Sequence, residues 1–252
     1  MTDQDRPGQL LAADSFRVRG IGAHAEVRGW GLHTDRFVRT AADCVDDPTE
    51  RVWLANAMPE FLAHARKEIA AFGDGFPRIE LWRRPGGTLQ LHVATRPLPQ
   101  LTEQLDLRTA RGIDLTHPQR KGPNIEHLGA LNRELGAEAL LLDARGNICE
   151  GATTSIVWWA GDTLCRVAGL ERVWSITERQ LVDIAHGLSA EVASRDLPST
   201  ELCLHEAWAV NALHGIRPVR AVDNVPLPQP QIERLATYRR ALDLLWSPIL
   251  TE

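Results

Sequence analysis

The stretch EALLLDARGNICEGATTSIVWWAGDTLCRVA, Glu138–Ala168, decides how this chain is read. Its apolar runs EALLLD, ICEG and TTSIVWW are separated by turn-forming residues, and TLCRVA follows across a Gly161-Asp162 hairpin turn. Short runs bounded by Gly and Asp read as strands, and runs this continuous read as strands buried on both faces. One carboxylate, Glu150, stands inside this buried meander, between Ile148-Cys149 and the small-residue run GATTS. A carboxylate there costs several kcal/mol unless a cation meets it.

Working outward, LDLRTARGIDL reads as strand and turn, THPQRKGPN as a loop without periodicity, and Asn124 to Leu135 as a helix carrying Ile125, Leu128 and Leu131. After the meander come a helix ITERQLVDIAHGL, a short strand near SAEVASRDL, the segment EAWAVNALHGIRPVRAV and a closing helix QIERLATYRRALDLLW. Before it, SFRVRG and HAEVRGW read as an extended pair, followed by a helix opening near His33 with Arg36 and Arg39 on one side. A longer helix starts after Asp46-Asp47-Pro48, whose acids and proline suit a first turn, and runs to Gly73, with Pro59 predicting a kink or a break. Two strands, RIELW and TLQLHVAT, flank the turn RRPGG. The Pro-rich RPLPQLTEQ supplies a linker. The division expected is a small α+β domain over 1–97, a linker over 98–104 and a second domain over 105–252.

Composition narrows the function. A formal charge of −5 excludes nucleic-acid binding by bulk charge. No apolar run approaches the roughly 18 residues of a membrane span, and the N-terminus lacks a signal-peptide pattern, so a cytoplasmic protein is expected. Cys44, Cys149, Cys165 and Cys203 fit no C-x-x-C pattern, the histidines show no helical metal-ligand pair, and neither G-x-S-x-G nor a Walker loop occurs. No metal site, redox pair, serine hydrolase or P-loop is predicted.

Of the 28 basic residues only Lys67 and Lys121 are lysines, a bias of the kind a GC-rich genome imposes. A position that keeps lysine in such a background is a candidate for chemistry that needs an amine, since guanidinium neither loses its proton nor attacks a carbonyl. Lys67 lies in the helical pattern FLAHARKEIAAF and reads as a solvated charge. Lys121 lies in a Gly- and Pro-bearing loop just before a helix. For Glu150 two readings stand: a salt bridge to an arginine, or an acidic partner for the protonated ring nitrogen of pyridoxal phosphate, with Lys121 as the Schiff-base amine. Ser175-Ile176-Thr177 opens a helix, where backbone N–H groups and a hydroxyl cap the helix or hold an anion. Asn211 and Ala212 lie in a turn before Gly215, an amide nest or a tight connection.

The order of these features, from about Asp14 to Val222, resembles the class IV aminotransferase family, the pyridoxal-phosphate proteins that include branched-chain and D-amino-acid aminotransferases and 4-amino-4-deoxychorismate lyase. LHTDRF is similar to the family's His-x-x-Arg helix and puts Arg36 at the phosphate. RKGPN puts Lys121 in place of the cofactor-linking lysine, and LLDARGNICEGATTS puts Glu150 opposite the pyridine nitrogen. SITERQ resembles the Gly-Ile-Thr helix start, giving Ile176 and Thr177 to the phosphate and Val173 to the ring. NALHGIRPV resembles the closing turn, where Asn211 and Ala212 complete the phosphate cup. The resemblance implies a two-domain α+β fold, with a small α/β N-terminal domain and a larger β-rich pseudo-barrel C-terminal domain. It also implies pyridoxal 5'-phosphate between the domains, a small-molecule amino substrate and a homodimer.

Departures from the family pattern bear on the substrate side. The opening hairpin is shortened to AADSFRV. Ser155, carried as a cofactor-binding position, replaces Asn, Ser175 replaces Gly, Val210 a common Thr, and Glu178 replaces Arg and puts negative charge near a phosphate. The glycine-rich loop for the substrate carboxylate is reduced to RRPGG, leaving Arg83 or Arg84 as substitutes. The first functional expectation is 4-amino-4-deoxychorismate lyase, from the chain's length and its Asn-Ala-Leu turn, with Arg17 after Phe16, in place of a threonine, counting against it. The alternatives are an amino-acid aminotransferase and a non-catalytic relative that acts as a binding protein.

Overall fold

The structure is a computed structural model that describes residues 8–250, and the chain divides into two compact units. The first contains the chain up to Pro99, the short segment Arg120–Pro123 and the C-terminal piece from Trp246; the second contains Gln100–Gln119 and Asn124–Leu245.

The first unit opens with β1 (Gln9–Ser15), β2 (Val18–Arg19) and β3 (Glu26–Arg28), then α1 (Trp30–Asp43), α2 (Pro48–Phe72), β4 (Arg78–Arg83) and β5 (Leu89–Ala94). β1 is a full strand, although its run QLLAADS carries alanine and aspartate, which strands disfavour. Antiparallel pairing with β4, from Gln9↔Arg83 to Ser15↔Arg78, decides the matter, and β5 completes the order β1-β4-β5. β2 and β3 pair antiparallel, as the extended reading of SFRVRG and HAEVRGW predicts. Asp47 caps α2 by accepting from the N–H groups of Thr49 (2.8 Å) and Glu50 (3.0 Å), with Pro48 at its first turn. The helix is not broken at Pro59: buried Leu54, Met58, Ala65 and Ile69 hold it from both sides of the proline, and it runs 25 residues.

The second unit runs β6 (Leu105–Ala110), α3 (Ile125–Leu135), β7 (Glu138–Leu142), β8 (Ile148–Gly151), β9 (Ser155–Ala160), β10 (Thr163–Val167), α4 (Ile176–Gly187), β11 (Val192–Arg195), β12 (Glu206–Asn211), β13 (Gly215–Val222), β14 (Val225–Pro226) and α5 (Ile232–Asp243). Its curled half-barrel sheet has the order β11-β10-β9-β12-β13-β6-β7-β8, with β14 added to β13. Both faces are covered, which is why its strands read as continuous apolar runs. One face packs Leu107, Leu140, Ile148, Ile156 and Trp158; the other packs Val157, Trp159, Trp208 and Ile216 against Leu181 of α4 and Tyr238 of α5. The adjacent Trp158 and Trp159 thus serve opposite faces, as the period of two requires. α3 covers Ala139 and Leu141 through Leu128, Leu131 and Leu135.

The last strand, β15 (Trp246–Pro248), belongs to the first unit and pairs antiparallel with β3. Among the described residues no helix is long and apolar enough to cross a membrane, and no cluster of three or more His, Cys, Asp or Glu forms a metal site.

Candidate functional site

In the first unit, Lys121 is held by its backbone. The N–H of Ala13 in β1 donates to the Lys121 carbonyl at 2.7 Å, and Arg120 Nη2 donates to the Asp43 carbonyl at 2.5 Å. Gly122 follows with φ +151°, and a Cβ there would lie 2.8 Å from the Ala12 Cα, so only glycine lets the loop lie this close to β1.

Beside this loop is a buried charge cluster. Asp14 of β1 is fully buried and accepts from Arg36 of α1 through Nε (2.7 Å) and Nη2 (2.8 Å), while His33 Nδ1 lies 2.8 Å from the same carboxylate. His33 and Arg36 share a face of α1 because they are three residues apart. Burial alone would raise the Asp14 pKa, but the charge of Arg36, that of His33 once acid protonates it, and the hydrogen bonds of both outweigh it and hold the carboxyl well below the usual range. Burial pushes His33 below its ordinary value, opposed by Asp14 and helped by the charges of Arg36 and Lys121, so the ring is neutral. An ionised Asp14 only accepts, so His33 carries its proton on Nδ1.

The two arginines of the RRPGG turn are engaged elsewhere in this unit. Arg83 is forked onto Glu50 at 2.8 and 2.9 Å and also donates to the Gly87 carbonyl, while Arg84 Nε donates to Gln90. A further charge cluster that sequence reasoning missed lies on β4 and β5. Buried Glu80 accepts from Arg78 and from Trp82 Nε1 (2.8 Å) and meets His92 Nδ1 (3.0 Å). Burial works against its charge, but these partners bring the carboxyl down to about 2.

In the second unit, Glu150 is on β8 opposite Leu141 and is 8% exposed, as the buried meander predicts. Its neighbour Cys149 is pushed up to about 11, first by burial and then by the charges of Asp143, Glu150 and Glu171, so the thiol keeps its proton at neutral pH.

Ile176 and Thr177 form the buried first turn of α4. Ser175 caps that helix, its Oγ accepting from the Glu178 N–H at 3.2 Å. Thr177 is buried and its hydroxyl meets no hydrogen-bond partner among the described residues, nor do the Ile176 and Thr177 N–H groups. Three donors without partners at one helix start suit an anion.

The charge of Glu178 is answered locally. Arg172 forks onto it with Nη1–Oε2 2.6 Å and Nη2–Oε1 2.7 Å, both side chains buried. Burial opposes the Arg172 charge, but Glu178, followed by Glu150 and Cys149, holds the guanidinium above its ordinary value. Arg172, which sequence reasoning did not single out, therefore links the field of Glu150 to the start of α4.

Asn211 shapes its turn. Its Oδ1 accepts from the N–H groups of Leu213 (3.2 Å) and His214 (2.8 Å), and its Nδ2 donates to the Thr153 carbonyl (3.2 Å). That leaves the Ala212 N–H without a partner in the turn. Ser155, buried at the start of β9, is in register with Val210 of β12, and Val173 is half-buried ahead of α4.

Each unit thus gathers part of the expected set: Lys121 with Arg36 in the first, and Glu150, Ser155, Val173, Ile176, Thr177, Asn211 and Ala212 in the second. Asp14 is the residue sequence reasoning should have weighed. A lone acid in the apolar run LLAADSF, with a His-x-x-Arg face downstream, signals a buried ion pair.

Solved structures share this fold. The chain is similar in fold to a branched-chain aminotransferase of Thermoproteus uzoniensis solved with norvaline, at 18% identity and TM-score 0.75, covering 95% of this chain and 90% of that one. It is similar to the T.th. branched-chain amino acid aminotransferase complexed with N-(5'-phosphopyridoxyl)-L-glutamate, at 15% identity and TM-score 0.76, covering 97% and 90%. A Legionella pneumophila protein provisionally assigned as 4-amino-4-deoxychorismate lyase matches at 16% identity and TM-score 0.72, covering 94% and 91%. No curated protein matches in sequence. The sequence profile of amino-transferase class IV matches residues 12–222, most of the chain, and this protein belongs to the class IV aminotransferase family.

Proposed function

We propose that this chain is a pyridoxal-phosphate enzyme that releases pyruvate from 4-amino-4-deoxychorismate to leave 4-aminobenzoate. The observation that carries the reading is Lys121: one of two lysines in the chain, in a loop bonded to β1 beside the Asp14–His33–Arg36 cluster. The donor set fits the cofactor. The hydroxyl of Thr177 and the N–H groups of Ile176, Thr177 and Ala212 have no protein acceptor to give up on binding a phosphate.

When bound, the cofactor supplies an electron sink for carbanion charge. The Lys121 amine would hold it and would serve as the base for the proton on the substrate α-carbon. Glu150 would keep the ring nitrogen protonated, and Val173 and Ser155 would line the ring. The free donors at the start of α4 would hold its phosphate, and Arg36 is the phosphate ligand proposed from the first unit. Asp14 positions Arg36 by occupying its Nε and Nη2. We take the working form to be a cytoplasmic homodimer, which light scattering on the purified protein tests for mass.

An amino-acid aminotransferase is the second reading, favoured by Arg17 after Phe16 and by the fold likeness to branched-chain aminotransferases. The experiment is borohydride reduction of protein incubated with pyridoxal phosphate, with the labelled peptide located by mass spectrometry. Label on Lys121 is the expected result, and Lys121→Arg should abolish both label and turnover while the fold survives. Label absent, or scattered over Lys67 and the amino terminus, would overturn the reading in favour of a binding protein. Pyruvate release from aminodeoxychorismate, against amine transfer to a 2-oxo acid, then separates lyase from transferase.

A further inference from the structure

Arg217 of β13 carries a charge that the protein itself does not answer. It is 8% exposed, its Nη1 donates to Thr102 Oγ1 at 3.0 Å, and its Nε is buried without any acceptor among the described residues. No carboxylate of the described residues comes within ion-pair distance of it, although two acids line the same open pocket of about 400 Å³.

Both acids are committed. Asp106 is paired with Arg220, Oδ2 to Nη2 at 2.5 Å. Glu138 accepts from the Thr153 N–H (2.6 Å), the hydroxyls of Thr153 and Thr154 (3.0 Å each) and Asn132 Nδ2 (2.8 Å), so its oxygens are turned to those donors. Its field reaches Arg217 only in part. Burial is the larger effect and pushes the Arg217 guanidinium below its ordinary value. Arg133, exposed in the last turn of α3, adds a second cation at the pocket and answers the negative end of that helix. The Nε is closed to solvent, so what Arg217 offers the pocket is the remainder of its guanidinium; a buried cation that lines open space without a carboxylate partner is the arrangement an oxyanion completes by charge-assisted hydrogen bonds.

We propose that this pocket of the second unit is a binding site for a small molecule bearing a carboxylate or phosphate group, held by the guanidinium of Arg217 and supported by Thr102 and Arg133. None of these residues belongs to the set assigned to the cofactor, so the site is additional to the reaction site.

The test is calorimetric titration of protein saturated with pyridoxal phosphate, which fills the cofactor's own phosphate site, using inorganic phosphate and, separately, succinate in a chloride-only buffer. One equivalent per chain of at least one of them should bind. Affinity should fall at least tenfold in Arg217→Gln and severalfold in Arg133→Gln. Tighter binding of succinate marks a carboxylate ligand, and tighter binding of phosphate marks a phosphate ligand. The same titrations on cofactor-free protein keep the test separate from the cofactor reading, because the dependence on Arg217 must persist there. Uptake of neither probe, or equal affinity in all three proteins, would overturn the proposal. Should Arg217→Gln not fold, Arg133→Gln decides by the same criterion.

Discussion

Replacing Asp14 by asparagine keeps the shape of the side chain and removes the charge that Arg36 and His33 surround. The wild-type carboxylate, fully buried, accepts two hydrogen bonds from Arg36 and one from His33. Asparagine can accept on one side only, and its amide N–H groups face a donor. Removing one partner of a buried ion pair costs about 3–5 kcal/mol, because the remaining charge is left uncompensated. Domains of this size are stable by about 5–15 kcal/mol, so the loss is a large fraction of the total. In calorimetry at pH 7.5 it should lower Tm by roughly 6–20 °C. The sign with pH is fixed by the direction of the shift. The folded pKa of Asp14 lies below the ordinary value of 3.8, so its contribution is complete above that pH and is lost as pH falls through the folded value. The gap between wild type and Asp14→Asn should therefore not shrink for want of Asp14 ionisation between pH 7.5 and about 4.5, should begin to close below about 4, and should vanish only as pH falls through the folded value. Affinity for pyridoxal phosphate should fall as well, since Arg36 loses the group that orients it. A variant with Tm within 2 °C of wild type and unchanged cofactor affinity would refute the reasoning.

His33 supplies the complementary pH dependence: its folded pKa lies below 6.5, so the unfolded chain binds the extra proton first, and Tm should decline as pH falls below about 6.5, a slope that His33→Gln removes. Glu150→Gln should retain the cofactor by absorbance and lose most of the rate; an unchanged rate would mean another group protonates the ring. Gly122→Ala places a Cβ against the backbone of Leu11 and Ala12 and should cost about 1–3 kcal/mol in strain, with slower borohydride labelling of Lys121; labelling at the wild-type rate with unchanged Tm would show that the loop does not need β1. Arg172→Met and Glu178→Gln should each destabilise by about 3–5 kcal/mol and the double variant by less than their sum, and additivity in denaturant unfolding would show that the two do not act as a pair.

Some of this was legible in the residues. Strand pattern and turn chemistry are local, so the meander from Glu138 to Ala168, the Asp47 cap and the helix ahead of Leu135 could be read directly. Of the kink or break expected at Pro59, the break did not occur, because a proline removes one hydrogen bond whereas the buried residues around it hold the helix on both sides. Arg83, taken from the sequence as a substrate contact, is forked onto Glu50, 33 residues earlier, a partner no local pattern announces.

What the sequence determined by itself is the inventory: an amine retained in an arginine-rich chain, a carboxylate inside apolar strands, and a helix start and a turn able to present N–H groups, in an order that marks the family. Residue type and spacing carry that information, since chemistry and backbone period are properties of short stretches. The tertiary structure alone decided the pairings. β1 became a strand because β4 lies beside it, β15 returned to β3 from the far end of the chain, and the Lys121 segment joined the first unit through Ala13. It also chose Asp14 for Arg36 and Arg172 for Glu178, and left Arg217 without a carboxylate. With 26 arginines and 33 acids in the sequence, nearly any pairing is possible on paper. Which one forms depends on burial and on distances set by residues far apart along the chain.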